Sequence, residues 1–242
     1  MKRTAAFFDI DGTLYREGLI TEVFKKLIRY EIIDAERWYK EVKLDYDRWD
    51  QRVGTYDSYL LGMASIYTEA IKGLHQSQVS FIAKKVVEQK GGRVYTYTRD
   101  RINFHKDNRH LLIVVSGSPI ELVQEMANKY GFDRHIGSIY KRKNDIYTGE
   151  VVPMWDSKSK EEAIYKLVNE YDIDLETSYA YGDTMGDFSM LKMVGNPTII
   201  NATKEVYQRI TSDEDLRKRI NVIVERKDMI YRLVPEHIEV LS

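Results

Sequence analysis

The stretch Ala5-Ala6-Phe7-Phe8-Asp9-Ile10-Asp11-Gly12-Thr13-Leu14 decides how this chain is read. A short apolar run ends on an acid, a second acid follows two positions later, and Gly-Thr comes next. Such a run, closed by polar residues, is the pattern of a strand buried on both faces of a parallel sheet. Aspartate is a poor strand residue, and an unpaired buried carboxylate is costly. Two acids at this strand end therefore call for partners. The plainer alternative is an acidic turn without a function, and the rest of the sequence has to decide against it.

Working outward, the pattern recurs. Leu111-Leu112-Ile113-Val114-Val115 ends in Ser116, and Ser178-Tyr179-Ala180-Tyr181 ends in Gly182-Asp183. Further strands are expected at Pro197-Thr198-Ile199-Ile200-Asn201 and Asn221-Val222-Ile223-Val224-Glu225, and a hairpin from Ile139-Tyr140 to Ile146-Tyr147. Helical patterns lie between them. Ser118-Pro119-Ile120-Glu121 predicts a helix start with Ser118 as N-cap, Pro119 in the first turn and Glu121 closing a capping box. A second helix is expected from about residue 160 to 171 through Ala163, Ile164, Leu167 and Val168. This alternation predicts an α/β fold, a Rossmann-like doubly wound parallel sheet whose binding crevice lies beyond the carboxyl ends of its strands. The gap between the first two strands is too long for a simple crossover. It carries helical patterns at Val23, Leu27 and Ile28, at Tyr59, Met63 and Ile66, and at Phe81, Ile82, Val86 and Val87. The expected organisation is an α/β core of residues 1–15 and 93–242 with a small helical cap, 16–92, inserted after the first strand.

Composition narrows the function. The 242 residues are 43% hydrophobic and 31% charged, with a net charge of −1, which argues against broad attraction to nucleic acid or an anionic membrane. Lys141-Arg142-Lys143 reads as a solvated loop or helix end. Cysteine is absent, so thiolate chemistry and disulfides are excluded. The N-terminal apolar run is too short for a signal peptide, and no stretch nears the roughly 20 apolar residues that span a bilayer. The expectation is a soluble, cytoplasmic protein. The five histidines form no metal-ligand pattern and read as structural or solvated.

Four sites carry chemistry. Asp9 and Asp11 are the first. Val115-Ser116-Gly117-Ser118-Pro119 is the second, a strand running into a hydroxyl, a glycine and a helix N-terminus, where backbone N–H groups and the helix dipole favour an anion. In the third, Asp156-Ser157-Lys158-Ser159-Lys160, either lysine is able to neutralise a phosphate oxygen. The fourth, Gly182-Asp183-Thr184-Met185-Gly186-Asp187, holds two acids of the kind that suit Mg²⁺.

In this order the four sites resemble the haloacid-dehalogenase-like superfamily, specifically its phosphoserine-phosphatase-like branch with a helical cap between the first and second motifs. The resemblance implies a Mg²⁺-dependent phosphatase acting on a small phosphorylated metabolite through an aspartyl-phosphate intermediate. It implies Asp9 as nucleophile and metal ligand, and Asp11 as acid/base and metal ligand through its carbonyl. Ser116, Gly117 and Lys160 would hold the phosphate, Asp183 would be a metal ligand, and Asp187 would support the metal or the lysine. The branch places its lysine about 23 residues before the motif-four aspartate, which favours Lys160 over Lys158. The raised pKa that Asp11 needs is expected from a nearby like charge. Phosphoryl transfer to another hydroxyl, as in a mutase, uses the same core. A receiver-like phospho-acceptor domain fits poorly, because here an acidic pair follows the lysine.

Substrate choice is expected to reside in the cap, which offers Trp38, Tyr39, Tyr46, Trp49, Tyr56, Tyr59 and Tyr67 with Arg48, Arg52 and Glu17. Most of these aromatics read as the cap's own core. Phosphoserine phosphatases place a glutamate nine residues after the nucleophile, where this chain has Gly18 with Glu17 beside it. That departure speaks against L-phosphoserine.

Overall fold

In the computed structural model, which describes residues 2–36, 39–40, 43–51, 53 and 56–238, the first strand, β1 (Ala5–Phe8), lies inside an eight-stranded sheet. To one side come β2 (Leu111–Pro119), β3 (Arg134–Lys143) and β4 (Ile146–Val152). To the other come β5 (Tyr179–Gly182), β6 (Asn196–Ile200), β7 (Asn221–Arg226) and β8 (Met229–Leu233). The central strands are parallel, and the two edges, β4 and β8, are antiparallel. The chain builds outward from β1 through β2 and β3, then returns to β1's other side with β5. This reversal puts the topological switch point, where such sheets bind ligands, at the end of β1.

Period-two burial explains why the apolar runs are unbroken. Ala5 and Phe7 of β1, with Leu111, Ile113 and Val115 of β2, face one core cluster; Ala6, Phe8, Leu112 and Val114 face the other. The first of these layers is covered by α7 (Ser157–Tyr171), α8 (Phe188–Met193), α9 (Lys204–Thr211) and α10 (Glu214–Arg219).

The opposite layer contains α5 (Thr96–Asp107), α6 (Ile120–Tyr130) and the insertion, α1 (Leu19–Arg29), α2 (Lys43–Asp50), α3 (Tyr56–Ile71) and α4 (Gln76–Lys90). The insertion does not bury a core apart from the sheet. Leu19, Val23, Phe24 and Leu27 of α1, Met63 and Tyr67 of α3 and Val86 of α4 join one cluster with Phe8 and Val114. The chain leaves and returns at one place, where the Arg16 N–H donates to the Arg93 carbonyl and the Tyr95 N–H to the Leu14 carbonyl. Glu225 clamps both linkers: it pairs with Arg16 at 2.9 Å and accepts the N–H groups of Thr96 and Tyr97.

Three local expectations need correction. Ser118 is not a side-chain N-cap: β2 runs through Pro119, α6 opens at Ile120, and Glu121 accepts a hydrogen bond from the Tyr147 hydroxyl instead of closing a box. Strand β3 begins at Arg134, well before the apolar Ile139-Tyr140, because its first half pairs parallel with β2. Lys141-Arg142-Lys143 are not a loop or helix end but the exposed last residues of β3, and the hairpin turns at Asn144 and Asp145, with φ of 52° and 62°. Trp38, Arg52, Gly54 and the Tyr56 side chain lie outside the described residues. Among the described residues no helix is long and apolar enough to cross a membrane.

Candidate active site

Asp9 stands immediately after β1, with its backbone N–H donating to the Tyr181 carbonyl of β5 at 3.0 Å. The chain then folds into a tight loop in which the Ile10 carbonyl accepts from Thr13, Leu14 and Tyr15. Gly12 permits this loop: its φ is +85°, and a Cβ there would lie 2.0 Å from Asp183 Oδ2. The loop thus presses the acids of β1 against those of β5. Thr13 fixes the contact by donating its hydroxyl to Asp183 Oδ1 at 2.7 Å.

Lysine selection follows from helix geometry. Asp156 caps α7 by accepting the Ser159 N–H at 2.9 Å. The buried stripe of α7 is Lys160, Ala163, Ile164 and Leu167. Two residues away, Lys158 points roughly 200° round the helix; it is exposed, 4.0 Å from Glu162. Lys160 is buried and reaches Asp9 Oδ1 at 2.7 Å and Asp187 Oδ1 at 2.6 Å. The apolar stripe was a signal in the sequence for this choice.

Asp187 uses its other oxygen on the motif-four loop, accepting from the backbone N–H groups of Asp183 and Thr184 and from the Thr184 hydroxyl. Asp11 turns toward different partners. Its Oδ1 accepts the Leu19 N–H at 2.7 Å, satisfying an open donor at the start of α1, where Gly18 supplies no side-chain cap. Its Oδ2 accepts the Ser118 hydroxyl at 2.5 Å. Ser118 was missed as a site residue because its Ser-Pro context reads as a cap. Ser116 is fully buried below Gly117 and Ser118, its hydroxyl oxygen accepting the Ser118 N–H at 3.2 Å.

Part of this set lines a cavity of about 70 Å³, whose lining does not include Ser116, Asp183 or Asp187. Asp9, Asp11, Gly117, Ser118, Lys160 and Thr184 form one wall, and Ile20, Leu60, Leu61, Ala64 and Trp155 complete it. The cap aromatics lie elsewhere. Trp49 stacks on Tyr59 beside Tyr46, Tyr67 meets Tyr140 edge-on, and Tyr39 is exposed. Glu17 pairs with Arg93 at 2.9 Å. Of the histidines, His75 caps α4 and His105 is buried against Tyr181.

Oxygens of Asp9, Asp183 and Asp187 lie within 4.8 Å of one another, and the nearest buried cation is the single Lys160 ammonium. Burial, reinforced by Asp187 and Asp11, pushes Asp9 up to about 8 against the opposing pull of Lys160. Burial, with Asp187 and Asp9, likewise lifts Asp183 well above the usual carboxylate range. Burial works to discharge Lys160, yet Asp187 and Asp9 outweigh it and keep the ammonium charged. This surplus of buried negative charge on hard oxygen donors fits a divalent cation such as Mg²⁺. The Asp11 pKa is also raised, but the cause is burial rather than the like charge expected from sequence; the hydrogen bonds from Leu19 and Ser118 oppose it.

The sequence model of the haloacid dehalogenase-like hydrolases matches residues 6–192. The chain is 26% identical over 230 residues to a probable phosphatase of Mycobacterium tuberculosis (strain ATCC 25618 / H37Rv), covering 91% of this chain and 73% of that one. It is also 26% identical over 204 residues to an "inhibition of morphological differentiation protein" of Streptomyces azureus, covering 83% and 73%. Its fold is similar to that of a substrate-bound phosphoserine phosphatase, with a TM-score of 0.61 at 21% identity over 94% of this chain and 95% of the other. Since the family match spans most of the chain and takes in all four acids and the lysine, the protein belongs to the haloacid dehalogenase-like hydrolase family.

Proposed function

We propose that the protein is a Mg²⁺-dependent phosphatase that hydrolyses a small phosphomonoester through an aspartyl-phosphate on Asp9. The observation that carries this reading is a single one: Asp9 faces the cavity while paired with the buried ammonium of Lys160 and set among Asp183 and Asp187. The phosphatase names of similar proteins point the same way.

Asp9 attacks phosphorus through a carboxylate oxygen, and the ester C–O–P bridge breaks on the phosphorus side. The departing alkoxide takes its proton from Asp11, whose burial favours the protonated form needed for that transfer. In the second step a water gives a proton to the Asp11 carboxylate and attacks the aspartyl-phosphate, which releases inorganic phosphate and restores Asp9. Lys160 and the Gly117 N–H offset charge on the phosphoryl oxygens, with Ser116 beneath them. Asp9, Asp183 and the Asp11 carbonyl would hold Mg²⁺, which supplies further charge neutralisation and fixes the phosphoryl group in line. Asp187 holds Lys160 and the Asp183 loop in place. Residues 16–92 act as the cap that closes the cavity.

The test is phosphate release over a metabolite panel with Mg²⁺, with EDTA, and with Asp9→Asn. Release that depends on Mg²⁺ and drops by about 10³-fold or more in the variant is expected. Activity surviving in Asp9→Asn would remove Asp9 as nucleophile. No release over a broad panel would remove the phosphatase reading itself.

A further inference from the structure

The cavity has two chemically opposite walls. The sheet side supplies Asp9, Asp11, Gly117, Ser118, Lys160 and Thr184. The facing side is Ile20 of α1 with Leu60, Leu61 and Ala64 of α3, closed by Trp155. Resting on the phosphatase reading above, we propose that this second wall selects phosphate esters of uncharged alcohols. It rejects esters whose alcohol carries an ammonium or carboxylate near the ester carbon.

Among the described lining residues the ionisable groups are Asp9, Asp11 and Lys160, and each is already engaged. Lys160 is held by Asp9 and Asp187, and Asp11 by Leu19 and Ser118. Among the described lining residues, a charged group on the alcohol would lose water against leucine side chains and meet no free counter-charge, which is unfavourable. The nearest acid on the linker, Glu17, faces Arg93 and lines a separate recess with Tyr46 and Trp49. Gly18 leaves room beside the apolar wall: a Cβ at position 18 would sit 3.2 Å from Leu60 Cδ2 and press Leu60 by a few tenths of an ångström.

With the phosphoryl group against the sheet wall, the alcohol carbon next to the ester oxygen would lie against Leu60 and Ala64. A longer alcohol would leave past Leu61, which is 51% exposed.

The experiment compares kcat/KM for propyl phosphate, O-phosphoethanolamine and O-phosphoserine, all with Mg²⁺ at pH 7. Propyl phosphate should exceed phosphoethanolamine by about tenfold or more, with phosphoserine lower still. Leu61→Glu places a carboxylate at the mouth, at a position exposed enough to accept one. It should raise the ratio of phosphoethanolamine to propyl phosphate by about tenfold, while Leu61→Lys should not. A wild-type preference for either charged ester overturns the proposal, as does an unmoved ratio in Leu61→Glu. The wild-type comparison decides even where a variant fails to fold. If no ester on a broad panel releases phosphate, the phosphatase reading fails and takes the proposal with it. If esters are hydrolysed with the charged ones preferred, only the proposal fails.

Discussion

The two walls of the cavity are held in opposite ways. On the sheet side the functional groups are fixed by directed contacts: Lys160 between two carboxylates, Asp187 between Lys160 and three donors of the motif-four loop, Asp183 against Thr13. On the helical side Ile20, Leu60, Leu61 and Ala64 present only apolar surface, which is non-directional. Directed contacts position a reacting group to a fraction of an ångström, whereas apolar contact tolerates exchange for anything of similar volume. The difference teaches that chemistry and selectivity are separable here. Asp11 is the joint, because its carboxylate accepts from Ser118 on the sheet side and from the Leu19 N–H on the helical side.

Lys160→Met strikes the sheet wall hardest. It should lower kcat/KM by about 10²–10³-fold and, without Mg²⁺, destabilise the protein by about 3 kcal/mol, because the buried acids lose their counter-charge. Lys158→Ala, on the outer face of the same helix, should stay within about twofold. Phosphate-release kinetics and urea titrations check both. Equal losses in the two variants would mean that burial of the lysine is not what matters.

Asp11 divides the comparison more finely. Asp11→Asn keeps an acceptor for Leu19 but has no proton to give an alkoxide, so kcat should drop by about 10²-fold with stability nearly unchanged. Asp11→Ala loses the same chemistry and also opens the N-terminus of α1, at a further cost of about 1 kcal/mol. If the two variants unfold at the same urea concentration, Asp11 does not tie the walls together.

This asymmetry also explains what the sequence made legible. Asp9, Ser116 and Asp183 could be placed because each ends an apolar run, and runs buried on both faces of parallel strands bring their ends to one crevice. Lys160 was within reach through the stripe it shares with Ala163, Ile164 and Leu167. Ser118 was misread since a serine before proline suits both a helix cap and an extended residue. Only the tertiary approach of Asp11 decides for the second. The helical wall was not legible at all. Ile20, Leu60, Leu61 and Ala64 look like any other apolar helix positions, and nothing local marks which of them turn toward Asp9. The cap aromatics, most of which read as the cap's own core, pack with one another and with β3.

The helical wall should therefore absorb a change that the sheet wall would not. Tyr59→Phe removes the hydrogen bond between the Tyr59 and Thr21 hydroxyls, which joins α3 to α1 behind the cavity. A stability loss of about 1 kcal/mol is expected, with kcat/KM inside about threefold. A 100-fold fall in activity would show that this wall is positioned as tightly as the other.

The remaining effect lies behind both walls and concerns stability alone. His105 is buried, hydrogen-bonded to the Tyr181 hydroxyl at 2.9 Å and to His110 at 2.8 Å. Burial, with His110 and Arg101, lowers its pKa to about 3. Between about pH 6.5 and 3 the unfolded chain therefore binds a proton at this site that the folded chain refuses, so stability rises with pH across that window and falls on acidification. The term is fully present above the unfolded pKa and shrinks as pH drops below it. At pH 5 the loss amounts to about 2 kcal/mol for an unfolded pKa near 6.5, and His105→Gln should abolish that part of the slope. Urea midpoints of the two proteins at pH 7 and pH 5 measure it. Because Tyr181 precedes the Gly182-Asp183 turn, an acid-sensitive His105 would place the pH limit on folding in the scaffold of the sheet wall, apart from the groups that meet the substrate. Equal slopes for the two proteins would return that limit to the carboxylates of the site.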